Sequence, residues 1–476
     1  MKKYNLFYMA RLAALFLLLT GALISGWGQS VDSLKATLST AKDDTLKVET
    51  LLQISALLYG STDPNAAIPY AEQAKELSSK LNYPRGVAYA YKYIGLVHYQ
   101  QSRNVEAMDN WNKSLEVFES INDKAGIANM LGNIGVIYKD QGNDAKALEY
   151  FFGCLKGSEE AGDQLRYTIA LNNIGSVYQH KKATYDKALE YYLKALPASI
   201  KLKDSPLTGV ITANLGEIYL DRGNSDSALY YFEKLKQIYH GTADIPYALY
   251  NIGKAFTQRK EYALALQYQQ QAYDSAVALN SEQYQLYILK GIADVYANTN
   301  QHRKALDYYL KGEALSKKLN STYDLKNNYE GVAASYAKLS DYGKAYKYQQ
   351  LLIGIKDTIY TKEADLKLAN YEFNFEIEKK EGQIGLLEKD KDLQAANIKR
   401  QKIAKNAFIG GFTLILVIAF IIYRNYRAKV RTSKILDKQK NEIENLLLNI
   451  LPAEVAHELQ LTGQSTPRHY ENVSVM

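Results

Sequence analysis

Apolar and polar positions between residues 45 and 355 recur in blocks of about 40. Each block carries a small residue, an aromatic or histidine three places later, and an alanine about twelve places after the small residue. The small residues are Ala56, Gly95, Gly135, Gly175, Gly216, Gly253, Ala293 and Ala333, at spacings of 39, 40, 40, 41, 37, 40 and 40. Their partners are Ala67, Ala107, Ala147, Ala188, Ala228, Ala265, Ala305 and Ala345. Residues three apart share one face of a helix. The small residue and its aromatic therefore predict a first helix, and the alanine a second. The clearest copies read NIGVIY at 133–138 with KALEYF ending at Phe151, and NIGSVY at 173–178 with KALEYY ending at Tyr192.

Two antiparallel helices approach closely only where both lack bulk, so Gly or Ala at each crossing and Tyr or Phe between neighbouring pairs predict stacked hairpins. Each pair leaves an apolar face for the next to cover, and the stack grows into a superhelix. Over about residues 45–355 the pattern resembles the tetratricopeptide-repeat (TPR) family, so the expected fold is an all-α TPR superhelix of about eight long repeats. It departs from that family in a period near 40 rather than 34, and in lacking the proline that often closes a repeat. Longer helices are the expected consequence. The resemblance implies a peptide or protein ligand on a concave face lined by the first helix of each pair. Asn133, Asn173, Asn214 and Asn251 each stand two residues before a small residue. An amide donates and accepts, so these four either hold an extended peptide backbone or satisfy neighbouring helix ends and water.

Two segments address a membrane. Lys2, Lys3 and Arg11 precede an uncharged run from Leu12 to Ser30 that contains Ser25-Gly26-Trp27-Gly28. That pattern fits a signal peptide cut near Gly28; an uncleaved anchor helix is the alternative. Asn406 to Tyr423 carries no charge and is bracketed by Lys405 and Arg424. As a helix it rises about 27 Å, close to hydrocarbon thickness. Basic residues on its two sides nearly balance, so orientation follows from the signal peptide. The expectation is a single pass through a bacterial inner membrane, repeats periplasmic and C-terminus cytoplasmic.

Thr361 to Ala404 holds no proline and is dense in Lys, Glu and Gln. Leu366, Phe373, Ile377, Ile384, Leu387 and Ile398 fall near a seven-residue rhythm broken by Lys380, Lys391 and Gln394. This reads as an imperfect coiled coil joining a homodimer, or else as a solvated single helix. Leu436, Ile443, Leu447 and Ile450 give a second short seam, and the basic residues from Arg424 to Lys440 suit anionic head groups.

Composition narrows the chemistry. The net charge of +7 is not gathered on one face, which argues against nucleic acid. Cys154 is the single cysteine, so no internal disulfide forms. The six histidines never stand at metal-ligand spacing. The 41 tyrosines are read as packing residues. No phosphate-gripping Gly loop, nucleophile–His arrangement or HExxH is present.

The last segment carries one more resemblance. Asn449-Ile450-Leu451-Pro452, then Val455, Ala456, Leu459 and Gly463, then Tyr470 through Val475, resemble the approach to a class III adenylate/guanylate cyclase domain. The resemblance implies a receptor whose intact parent converts ATP, or GTP, to a cyclic nucleotide and pyrophosphate with two Mg or Mn ions. Its metal-binding carboxylates fall beyond the matched residues, so this chain is expected to be an inactive, truncated form with no cofactor of its own. The expected organisation is signal peptide 1–28, TPR superhelix 29–355, coiled-coil linker 356–405, transmembrane helix 406–423, signalling helix 424–452 and cyclase start 453–476. A non-enzymatic TPR scaffold at the membrane and the front end of a sensor histidine kinase are the alternatives. The kinase is disfavoured because His457 follows Pro452 and lacks the acidic neighbours of a phosphoacceptor helix.

Overall fold

The computed structural model describes residues 30–467; the signal-peptide segment 1–28 and Tyr470 lie outside the described residues. The chain divides into two compact units between Glu378 and Lys379. Among the described residues every regular element is helical.

The first unit opens with α1 (Val31–Thr40) and then stacks eight helix pairs. These are α2 (Thr45–Tyr59) with α3 (Ile68–Lys80), α4 (Pro84–Gln100) with α5 (Asn104–Ser120), α6 (Lys124–Asp140) with α7 (Asp144–Glu160), and α8 (Gln164–Tyr178) with α9 (Tyr185–Lys201). They continue as α10 (Ser205–Asp221) with α11 (Ser225–Ile238), α12 (Ile245–Gln258) with α13 (Tyr262–Ala278), and α14 (Glu282–Asn298) with α15 (His302–Lys318). The eighth pair is α16 (Thr322–Lys338) with the start of α17 (Tyr342–Ile450). Short 3-10 turns precede α3 and α9.

The 40-residue period has a local cause. Most of the paired helices run 17 residues, and three residues separate consecutive ones. A recurring two-residue device makes the turn: one residue in the left-handed region, then a side chain that caps the next helix. The first positions include Asn122, Gly142, Gly162, Lys203, Gly223 and Asn280, all at positive φ. They are followed by Asp123, Asn143, Asp163, Asp204, Asn224 and Ser281, each accepting a backbone N–H two or three residues into the helix. Asn and Gly tolerate the left-handed conformation, and Asp, Asn and Ser are the strong N-caps.

Packing follows the predicted crossings. The partner alanines from Ala67 through Ala305 are wholly buried. Opposite the glycines sit large side chains of the second helix: Trp111 against Gly95, Phe151 against Gly135, Tyr192 against Gly175 and Phe232 against Gly216. A methyl on Gly135 would lie 2.7 Å from the Phe151 ring, so only glycine allows that approach. The aromatic three places after the small residue stacks on a second ring in the same repeat. Tyr138 on Tyr150, Tyr178 on Tyr191, Tyr219 on Tyr231, Phe256 on Tyr268 and Tyr296 on Tyr308 have centroids 5.3–5.8 Å apart. Where lysine precedes the alanine, its ammonium lies over the first ring, as Lys146 does over Tyr138 at 5.0 Å. The tyrosine excess is thus a ladder of stacked pairs, worth about 1 kcal/mol each beyond their buried area.

In the last pair Ala345 is only half-buried, because no ninth repeat covers it. Helix α17 does not stop at the end of this pair. Leu352 and Ile359 are buried on it; residues 364–369 are all exposed; then Phe373 and Ile377 are buried again, in the core cluster of the N-terminal repeats. Asn370 Nδ2 donates to the Gln141 carbonyl at 3.1 Å, at the α6–α7 turn. Two positions of the predicted coiled-coil seam are therefore taken up inside the chain, whereas Leu366, Leu387 and Ile398 are exposed.

The second unit continues α17 without a break to Ile450. It contains a wholly exposed apolar stretch whose best 18-residue window has a mean hydropathy of 2.2, long and apolar enough to cross a membrane. Leu451 and Pro452 interrupt the helix, as a proline and its predecessor do. A short helix α18 (Ala453–Thr462) follows and ends on Gly463 in the left-handed conformation.

Candidate functional site

The first helices of repeats 3 to 6 carry an unusual load of buried polar groups. Asn133, Asn173, Asn214 and Asn251 are exposed by 3, 7, 3 and 1%. Asn214 Nδ2 donates to Asn172 Oδ1 at 3.1 Å, which ties α10 to α8. Asn251 Nδ2 donates to the Tyr247 carbonyl of its own helix at 3.0 Å. Asn133 is different: its Nδ2 is buried and has no hydrogen-bond partner. An amide proton without an acceptor costs about 1–3 kcal/mol, so Asn133 is the one of the four that a ligand acceptor would relieve. Asn172, which the repeat pattern does not mark, is as much part of this face as Asn173.

Asn214→Ala would leave Asn172 Oδ1 buried without its donor. We expect a loss of about 1–2 kcal/mol in urea unfolding, and Asn251→Ala should cost less because only a bond within one helix is lost.

The repeat pattern also misses a cation. Lys92, on α4 three residues before Gly95, is 3% exposed. Its Nζ lies 5.2 Å from the Tyr93 ring centroid and 5.5 Å from that of Tyr89. Its backbone carbonyl accepts from Trp111 Nε1 at 3.2 Å, which pins the residue to α5. Among the described residues no carboxylate pairs with it. Burial, and then the nearby Arg166 charge, push the Lys92 amine down to about 7. Tyrosine faces recover part of the lost hydration, and burial without a counter-charge favours the neutral amine.

Arg166, on α8, supplies the second positive group. It pairs with Asp163 at the start of its helix. With the Asn129 amide turned to satisfy both groups, Asn129 Oδ1 accepts from Arg166 Nε at 2.7 Å and Nη2 at 3.0 Å. Asn129 stands one helical turn before Asn133 on α6. Repeats 2 to 4 thus carry a buried amine at Lys92, a guanidinium at Arg166 already held by Asp163 and Asn129, and a spare N–H at Asn133.

The Asn449–Pro452 and Val455 segment is spread over a helix break. Asn449 and Ile450 end α17, Leu451 and Pro452 form the break, and Val455 lies on α18. Among the described residues no group of three His, Cys, Asp or Glu could hold a metal ion.

The tetratricopeptide-repeat family signature matches residues 86–151 and 167–239. No curated protein matches the chain. Among solved structures, the apo form of the quorum sensor NprR from B. thuringiensis is similar with a TM-score of 0.54 at 17% identity, over 68% of this chain and 92% of that one. The apo form of RapI follows at 0.49 and 14%, over 58% and 99%. A Rap protein complexed with competence and sporulation factor follows at 0.48 and 16%, over 75% and 97%. At these identities the likeness concerns fold alone: the chain carries an all-helical TPR-like superhelix and one long apolar helix.

Proposed function

We propose that the repeat array is the ligand-capturing part of a membrane-anchored sensor, and that its ligand is a peptide presenting a carboxylate to Lys92. The observation that carries this reading is the buried, counter-charge-free Lys92 beside Arg166 and the unpartnered Asn133 amide. A TPR superhelix is a protein-interaction fold, and NprR, whose fold it shares, is described as a quorum sensor. The chemistry of the ligand rests on this chain's own residues.

Synthetic peptide pools offered with free or amidated C-termini to the detergent-purified chain test the reading. Free-carboxylate peptides should be retained at least tenfold better, and Lys92→Met should remove the difference. Equal retention of both pools by the wild-type chain would sink the carboxylate assignment.

The output side of the proposal is a single membrane crossing at 406–423 with the repeats outside the cytoplasm, leading to a class III cyclase domain in the intact parent. The uncharged apolar helix supports the crossing, and the Asn449–Pro452 and Val455 resemblance supports the cyclase. Residues 1–476 fused to a complete cyclase domain should give cyclic-nucleotide output that changes with ligand. Output indifferent to deletion of the repeats would leave a membrane-tethered scaffold instead.

A further inference from the structure

The two ends of the repeat array are finished differently. At the first end α1 buries Leu34 and leaves Asp32, Ser33, Lys35 and Thr37 exposed. A repeat array needs such a polar cap, because its terminal apolar face has no neighbour to cover it. The other end is left apolar: α17 opens with Tyr342 and Tyr346, which are 69 and 67% exposed. Directly after the partner alanine, Met108 and Leu189 are buried, and Leu148 and Leu306 pack against core clusters. Tyr346 holds that same register, beside Ala345, and stays uncovered.

The exposed side chains continue as a line along the helix. Tyr342, Tyr346, Ile353, Tyr360, Tyr371 and Phe375 follow one another at intervals of 4, 7, 7, 11 and 4 residues. The helical repeat places all six within about 60° of one another around α17. Every one of them is exposed. The face that α17 turns to its own chain is a separate one, marked by the buried Leu352, Ile359, Phe373 and Ile377. The stripe is thus also distinct from the heptad seam, two of whose members, Phe373 and Ile377, are used inside the chain.

Its size and charge select the partner. Aromatic side chains bury about 150–250 Å² each. Five of them with Ile353 therefore offer on the order of 800 Å², one partner's share of a standard interface. Asp357 and Lys367 border the stripe with opposite charges, so the face draws neither an acidic nor a basic partner. A second copy of this chain brings an identical aromatic stripe. Held by the same membrane span, it arrives parallel and at the same height, so that each ring meets its own counterpart across a two-fold axis.

We propose that the Tyr342–Phe375 face of α17 is a homodimer interface, at which a second copy of this chain closes the open end of the array. The parallel orientation rests on the membrane crossing of the sensor reading; the interface itself rests on the stripe.

The full chain purified in detergent tests it. The wild type should sediment as a dimer after correction for bound detergent. Tyr346→Glu with Tyr360→Glu should raise the dimer dissociation constant at least a hundredfold and leave the helical circular dichroism unchanged, because both rings are exposed in one copy. In membranes, on a Cys154→Ser background, Tyr346→Cys and Tyr371→Cys should each form a disulfide with the same residue of the second copy when oxidised. Thr358→Cys, exposed on another face of α17, should link at least tenfold less. A monomeric wild type would overturn the proposal, and so would a dimer that the glutamates leave intact or equal linking at all three positions. Peptide retention needs no dimer and sedimentation needs no ligand, so the two readings fail separately.

Discussion

Lys92→Met should make the repeat array more stable and at the same time abolish its preference for carboxylate ligands. The stability half follows from the buried charge. In the folded chain the amine is pushed down to about 7 by burial and by Arg166, against 10.5 when exposed. Between those values the unfolded chain holds a proton that the folded chain has released, so stability rises with pH across that window. Below about pH 7 both states are protonated and the whole penalty of the buried ammonium is present. Methionine fills similar volume without that penalty, and such replacements gain on the order of 1–4 kcal/mol. The wild-type chain should therefore gain stability in urea from pH 7 to pH 9, and the variant should be more stable at pH 7 with that slope reduced, the remainder coming from Lys139, whose amine burial also lowers. The window stops at pH 9 because burial also raises Tyr93 and, to about 11, Cys154. Both favour the folded state only while their unfolded counterparts stay protonated. A variant less stable than wild type at pH 7 would mean that Lys92 already has a counter-charge. A stability gain together with lost binding is the usual mark of a group kept for function.

The second large effect is at the helix crossings. Phe151→Ala should cost about 3–5 kcal/mol, because the ring is wholly buried and fills the gap opposite Gly135. Gly135→Ala acts from the other side. Its methyl would meet the Phe151 ring at 2.7 Å and the Tyr150 Cβ at 3.2 Å. Overpacking of this kind costs about 1–3 kcal/mol, offset by at most about 1 kcal/mol of helix propensity. Combined with Phe151→Leu, the methyl gains room, so the double variant should lose less than the sum of the two single losses. Additive losses in urea unfolding would show that the two side chains do not share a space. Since repeats lean only on their neighbours, hydrogen exchange should report the damage first in repeats 2 to 4.

Much of this architecture is written in short windows of sequence. The crossings at Gly95, Gly135, Gly175 and Gly216 were legible because a small residue and its aromatic recur on one helical face. The turns at Asn122-Asp123, Gly142-Asn143, Gly162-Asp163 and Gly223-Asn224 emerged only in the structure, because the small-residue pattern passes over them. The asparagines were only half legible. Their register marks the inner helices, but nothing local distinguishes Asn133, whose amide is unpartnered, from Asn251, whose amide closes on its own helix. Lys92 and Lys290 look alike in sequence, one lysine each at the same register, and they differ in burial and pairing.

The sequence by itself determined the repeat, its 40-residue period and the apolar span, because helix periodicity and hydropathy are properties of neighbouring residues. The tertiary structure decided that Asn214 meets Asn172, that Lys92 is buried without a counter-charge, and that Phe373 and Ile377 leave a coiled-coil rhythm to dock on repeats more than two hundred residues earlier. The first two outcomes depend on how neighbouring repeats meet and the third on a helix returning to residues far back in the chain, and no short stretch of sequence records such contacts.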